Sequence, residues 1–237
     1  MVADLLSDAA VRRRLGTADR ALERAYGPPR RLRRGDPLGS LIATILSQNT
    51  NDANSGRAYA AMRAAFPTWL EVMNADPGAL EDVLRPGGLA RTKARRIQDI
   101  LRAIAARGPL DLGYLRKLPG EEAEQELLAF DGVGPKTARC VLVFALGKDS
   151  FPIDTHIERV LKRLGIVPQK MAVEKAHRYI QPLLPKGRSY ALHLGLIAHG
   201  RRVCHARTPE CARCVLRRNC AYYKRHRMQA AVGNAKP

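Results

Sequence analysis

From position 38 onward the apolar residues of this chain recur every three or four places, in runs at 38–47, 52–66, 69–75, 78–84, 91–106, 112–117, 121–130 and 136–146. That period turns one face of a helix toward a core. Breakers separate the runs, among them PGG at 86–88, RGP at 107–109 and LPG at 118–120. Residues 1–26 carry a further helical pattern, which GPPRRLRRGDP (27–37) interrupts. After Gly147 the segment KDSFPIDTH leads into helices predicted at 155–164, 171–184 and 189–199. Nothing alternates with period two between hairpin turns, so the expected fold class is all-α with short connections. The tail beyond Tyr223 is basic and is expected to lose order at its end.

Charge changes this picture from a generic helical protein to one with an anionic partner. Of 237 residues, 41 are Lys or Arg and 22 are Asp or Glu, a net charge of +19. An arginine-rich excess spread along helical segments suits a nucleic acid backbone. No apolar run reaches the ~20 residues needed to cross a bilayer, and the N-terminus lacks the basic-then-apolar order of a secretory signal. A cytosolic or nucleoid location, away from membranes, is the expectation.

Four of the five cysteines, Cys204, Cys211, Cys214 and Cys220, share one short segment, and Cys140 stands alone in an apolar helix. Without an export signal, such a cluster reads as a metal site. Its spacing by itself leaves zinc and an iron–sulfur cluster both open.

The segment DGVGPKTARC (131–140) concentrates unusual chemistry. A helix that opens on Glu121 and Glu122 and carries Leu127, Leu128 and Phe130 runs into Gly132-Val133-Gly134. The next helix shows Ala138, Val141, Leu142 and Ala145 on one face and ends at Gly147. This is a helix–hairpin–helix. Gly132 and Gly134 let a phosphate approach backbone N–H groups at a helix start, gripping a DNA backbone without reading bases. A P-loop needs glycine directly before its lysine, where Pro135 stands here. Lys136 is a phosphate contact, a solvated first-turn residue or a nucleophile. At the positive end of a helix the neutral amine is favoured, as a nucleophile requires.

FPIDTHIERV puts Asp154 at the mouth of another helix. Thr155 and Glu158 have capping-box spacing, and Asp154 is equally suited to be the N-cap.

Taken in order, GVGPKTA, IDTHIERV, HGR and Cys-x6-Cys-x2-Cys-x5-Cys resemble the endonuclease III family, the iron–sulfur branch of the helix–hairpin–helix DNA glycosylases. The resemblance covers roughly 38–223. It implies two helical domains, a bundle at 36–147 and an iron–sulfur domain formed by 1–35 with 148–237, with DNA in a groove between them. It also implies that Lys136 is the nucleophile, Asp154 its partner, and that Cys204, Cys211, Cys214 and Cys220 hold a [4Fe-4S] cluster. The implied partner is double-stranded DNA containing damaged bases or abasic sites, bound by a monomer. The implied activity is a bifunctional glycosylase and AP lyase removing oxidised pyrimidines. A monofunctional relative, or a non-catalytic DNA-binding protein, is the alternative.

Two further loops resemble the elements by which this family opens a duplex. LSQNTND (46–52) is similar to the segment that fills the gap left by an extruded nucleotide, the plug being Gln48 or Asn49. PGGLARTKA (86–94) is similar to the loop that wedges an apolar side chain, here Leu89, between bases. Departures from the family's pattern are Ala90 where an aromatic is frequent, Asp131 beside the hairpin, and Thr208 and Glu210 where basic residues are usual. Of that last loop Arg207 remains as a DNA contact. His156 and His199 are read as structural.

Overall fold

A computed structural model describes residues 6–29 and 35–233, side chains of 228–233 excepted. Among the described residues there are twelve α-helices and no strand, as the periodicity implied. The chain divides into two units, Leu32–Lys148 and Met1–Arg31 with Asp149–Pro237. The first five residues of the 1–26 pattern, part of the arginine-rich interruption at 30–34 and the last four residues lie outside the description.

The unit Leu32–Lys148 holds α2 (Pro37–Leu46), α3 (Asp52–Ala65), α4 (Trp69–Asn74), α5 (Pro77–Leu84), α6 (Ala90–Ala105), α7 (Gly120–Leu128) and α8 (Pro135–Cys140). Its early helices start where side chains satisfy the first N–H groups. Asp36 accepts from the amides of Leu38 and Gly39, Asn51 from Asn54 and Asp76 from Ala79, and Thr68 with Glu71 closes a capping box. Such caps contribute ~1 kcal/mol each, which decides where short helices begin. Leu41, Ile42 and Ile45 of α2, Ile97 and Leu101 of α6, and Leu127 with Val141 form one buried core. The predicted helix at 136–146 is α8 followed by a π-helical turn, Val141–Ala145, in which Leu146 N–H reaches Val141 O. Gly147, at φ 66°, then ends it in the left-handed region that glycine tolerates. The run at 112–117 is only a 3₁₀ turn, Gly113–Arg116.

The other unit holds α1 (Asp8–Tyr26), α9 (Thr155–Leu164), α10 (Val173–Ile180), α11 (Ser189–Arg202) and α12 (Ala221–Gly233). Val11, Leu15, Ala18 and Leu22 of α1 join Ile157 and Leu161 of α9 and Leu192 and Leu196 of α11 in a second core. Arg188 fastens α1 to this core by bonding Asp19 at 2.7 and 3.1 Å and Glu23 at 2.9 Å. The helix expected over 171–184 stops at Ile180 and tightens into a 3₁₀ turn, Gln181–Leu183, because Pro182 has no N–H to continue the ladder. The basic tail is helical as far as Gly233, and its end, where loss of order is expected, lies outside the described residues.

Candidate nucleic-acid and cysteine sites

Between α7 and α8 the chain reverses at Gly132, φ 76°, with Val133 N–H bonded to Phe130 O at 3.1 Å. Gly134 precedes α8, and no side chain caps that helix. Its first N–H groups are therefore left for an external acceptor, the geometry an anion requires. Nothing lies within 4 Å of the position a Cβ on Gly134 would take. Lys136 stands in this first turn, half-buried, with Thr137 and Ala138 beneath it in the core. Arg139 Nε bonds Glu124 of α7 at 2.8 Å, both side chains largely buried, and so locks the two arms of the hairpin together.

The two loops expected to enter DNA share a backbone peculiarity. Among the described residues only Asn49, φ 54°, and Leu89, φ 50°, are non-glycine residues in the left-handed region. For leucine that conformation costs about 1–2 kcal/mol. Leu89 is 56% exposed, and Asn49 is exposed also. Gln48 points elsewhere: its Nε2 donates to Thr137 Oγ1 at 3.2 Å and its Oε1 accepts from Arg96 Nη1 at 3.0 Å. The Arg96 side chain lies across Gly132, its Cδ 2.6 Å from where a Cβ would stand. Gln48 thus ties its loop to the hairpin.

Sequence reading missed Arg96 and Lys93. The Lys93 ammonium is buried and bonds Leu46 O and Gly87 O. Its signal was present: Lys93 falls on the stripe that Ile97, Ile100 and Ile104 define as the core face of α6.

In the other unit, Asp154 is the N-cap of α9, its Oδ1 accepting from Ile157 N–H at 2.8 Å. Its second oxygen has no partner among the described residues. The Thr155–Glu158 capping box does not form, since Glu158 pairs instead with Lys162 at 2.6 Å. Capping and availability of a carboxylate oxygen are therefore compatible in one residue.

Cys204, Cys211, Cys214 and Cys220 line one small cavity with Val203, Pro209, Tyr222 and Tyr223. Among the described residues no three His, Cys, Asp or Glu groups converge closely enough to clasp a single ion. Four soft sulfur donors spread around one cavity suit a polynuclear iron–sulfur group. Donors already face these sulfurs: Arg163 Nη1 is 3.2 Å from Cys204 Sγ, and His199 Nε2 is 3.4 Å from Cys214 Sγ. His199 Nδ1 meets Tyr26 Oη at 2.8 Å. Burial lowers the His199 pKa to about 4, so the ring is neutral near pH 7. Tyr26 O–H donating to Nδ1 then leaves an Nε2–H for the sulfur. As a free thiol Cys214 is pushed up to about 11 by burial, and metal ligation would reverse that preference. Arg207 and Thr208 are exposed, whereas Glu210 is engaged by Arg213 at 2.7 Å and His205 at 3.1 Å.

Helix–hairpin–helix, all-helical units and a four-cysteine segment define a class of DNA repair protein, and comparison with known proteins agrees. Residues 42–186 match the family described as HhH-GPD superfamily base excision DNA repair protein. Endonuclease III of Thermotoga maritima is 33% identical over 197 residues, covering 83% of this chain and 88% of the relative. A putative DNA glycosylase of Arabidopsis thaliana, At3g47830, is 42% identical over 165 residues, 69% of this chain and 56% of that protein's length. The solved structure of a non-covalent endonuclease III–DNA complex superposes with a TM-score of 0.76 at 29% identity, covering 94% of this chain and 99% of that one.

The chain belongs to the HhH-GPD superfamily of base excision DNA repair proteins and, within it, to the endonuclease III family. It is a DNA-binding enzyme of the class that contains DNA glycosylases and AP lyases. Among the described residues no helix is long and apolar enough to cross a membrane.

Proposed function

We propose that this protein is a bifunctional DNA glycosylase and AP lyase that removes oxidised pyrimidines from duplex DNA. The observation that carries the reading is Lys136 in the first turn of α8, a helix whose first N–H groups no side chain caps, directly behind a glycine hairpin. A phosphate on those groups would bring the adjoining sugar to the lysine. The Lys136 amine attacks C1′ of an extruded nucleotide, the bond from C1′ to the base breaks, and the base leaves with a proton. The C1′–O4′ bond then opens, O4′ taking up a proton, to give the covalent iminium; this loses a proton from C2′, the C3′–O bond breaks to release the 3′ phosphate, and water frees the lysine. Asp154 is assigned proton transfer and stabilisation of positive charge on the sugar, through the oxygen that the cap does not use.

Asn49 is assigned the gap left by the extruded nucleotide and Leu89 the wedge. Support comes from their exposure and shared left-handed backbone, and from the inward engagement of Gln48. Cys204, Cys211, Cys214 and Cys220 would hold a [4Fe-4S] cluster. When bound it supplies a rigid cross-link for the 204–220 segment, because base excision and β-elimination transfer no electrons.

Borohydride added to the protein with duplex DNA containing an abasic site should trap a covalent complex, and Lys136→Ala should abolish it. Trapping that persists in Lys136→Ala sinks the assignment. A panel of single-lesion duplexes tests the substrate: release of oxidised pyrimidines is expected, and release confined to mismatched normal bases would favour the monofunctional alternative.

A further inference from the structure

On the buried stripe of α6, one turn before Ile97, stands a cation. Lys93 is 2% exposed, and its ammonium donates to Leu46 O at 2.7 Å and Gly87 O at 2.9 Å. Among the described residues no carboxylate pairs with it. Burial pushes its pKa down, the mark of an environment that disfavours the charge. Leu46 is the last residue of α2 and Gly87 the last of the 3₁₀ turn Arg85–Gly87, so the ammonium occupies the negative ends of two helical segments. An apolar side chain of equal length would avoid burying charge but would leave two buried carbonyls without a donor.

The segments that Lys93 joins have more in common than proximity. Beyond Leu46 the chain runs into Asn49, and beyond Gly87 into Leu89. These are the two left-handed non-glycine residues among those described. Strained backbone persists only where its surroundings fix it. Gly87 is held on its other side by Ala58, whose Cβ is 3.0 Å from where a Cβ on Gly87 would lie.

We propose that Lys93 is a positioning residue that fixes the Asn49 and Leu89 loops as one preformed unit, so that plug and wedge enter the duplex together. The proposal rests on the reading that Asn49 and Leu89 enter DNA. Neither residue has a stack to part in single-stranded DNA, and this separates positioning from general stability.

Lys93→Met should lower kcat/KM for nicking duplex DNA at an abasic site by about 10–100-fold, the scale of a misplaced positioning group. Nicking of a single-stranded abasic oligonucleotide should change by less than about 3-fold. Equal loss on both substrates, or loss on neither, overturns the proposal. In an Asn49→Ala/Leu89→Ala background the effect of Lys93→Met on the duplex should largely disappear. Its full persistence there also overturns the proposal. Should Lys93→Met fail to fold, hydrogen exchange of the unaltered protein decides. The amides of Gln48 and Gly88, bonded to Ile45 O and Arg85 O, should exchange as slowly without DNA as with it. Protection that appears only with DNA refutes a preformed unit. Absence of nicking on both substrates by the unaltered protein would instead sink the enzyme reading, and the exchange result would then judge the clamp alone.

Discussion

Gly132→Ala tests whether the hairpin owes its shape to glycine or merely accommodates it. At φ 76° an alanine enters the left-handed region, at a cost of about 1–2 kcal/mol. The new methyl would also fall on the Arg96 side chain, 2.6 Å from Cδ and Cζ, so the guanidinium must leave its place. That breaks the 3.0 Å charge-assisted bond to Gln48, about 1.5 kcal/mol more. Together these give about 2–4 kcal/mol, or a fall in Tm of roughly 5–15 °C for a chain of this size. Gly134→Ala supplies the contrast. Its φ of −90° suits alanine and nothing stands near the added methyl, so stability should fall by less than about 1 kcal/mol. That methyl would nevertheless crowd the uncapped N–H groups, and affinity for duplex DNA, measured by fluorescence anisotropy at fixed salt, should drop about tenfold. Urea unfolding with Gly132→Ala within 0.5 kcal/mol of the unaltered protein, a margin set by the ~1 kcal/mol φ cost alone, would refute the reasoning. So would equal destabilisation by both substitutions.

Further outcomes follow from the same contacts. Arg139→Met strands Glu124 in a buried place and should cost about 3–5 kcal/mol in denaturant unfolding, much of it regained in Arg139→Met/Glu124→Leu. Cys214→Ser should lower bound iron and sulfide, measured by elemental analysis; zinc in the unaltered protein would overturn the cluster assignment. Thr68→Ala removes a capping box and should cost about 1 kcal/mol by thermal unfolding. The Thr68 N–H and hydroxyl hold the Glu71 carboxyl below its usual range, so this cap is complete at neutral pH and is lost as pH falls through the lowered pKa. Exchange of the Thr68 amide should therefore accelerate on acidification beyond its intrinsic pH trend.

Helix order and the breakers between helices were legible because periodicity and turn residues act locally. Asp36, Asn51, Thr68 and Asp76 all sit where capping chemistry puts them. The π-helical turn at Val141–Ala145 was not legible, since its apolar pattern is also that of an ordinary helix. The site divides in the same way. Lys136, the hairpin glycines and the four cysteines announce themselves by residue type and spacing. The engagement of Gln48 needed the fold, because its partners Thr137 and Arg96 are far away in sequence. For Lys93 only its place on the apolar stripe of α6 was legible; its carbonyl partner on Leu46 lies 47 positions away.

The assignment of α1 to the same unit as residues beyond Asp149 bears on how the chain is made. Arg188 reaches Asp19 across 169 positions, so α1 leaves the ribosome long before the helix that anchors it exists. At roughly 5–20 residues per second this delay is about ten to thirty seconds. The contiguous segment Leu32–Lys148 can complete its core within that interval, whereas Val11, Leu15, Ala18 and Leu22 wait without a partner. The nascent chain is therefore most open to aggregation or chaperone capture at its first helix, and translation speed should affect its yield more than that of a protein whose units are each continuous.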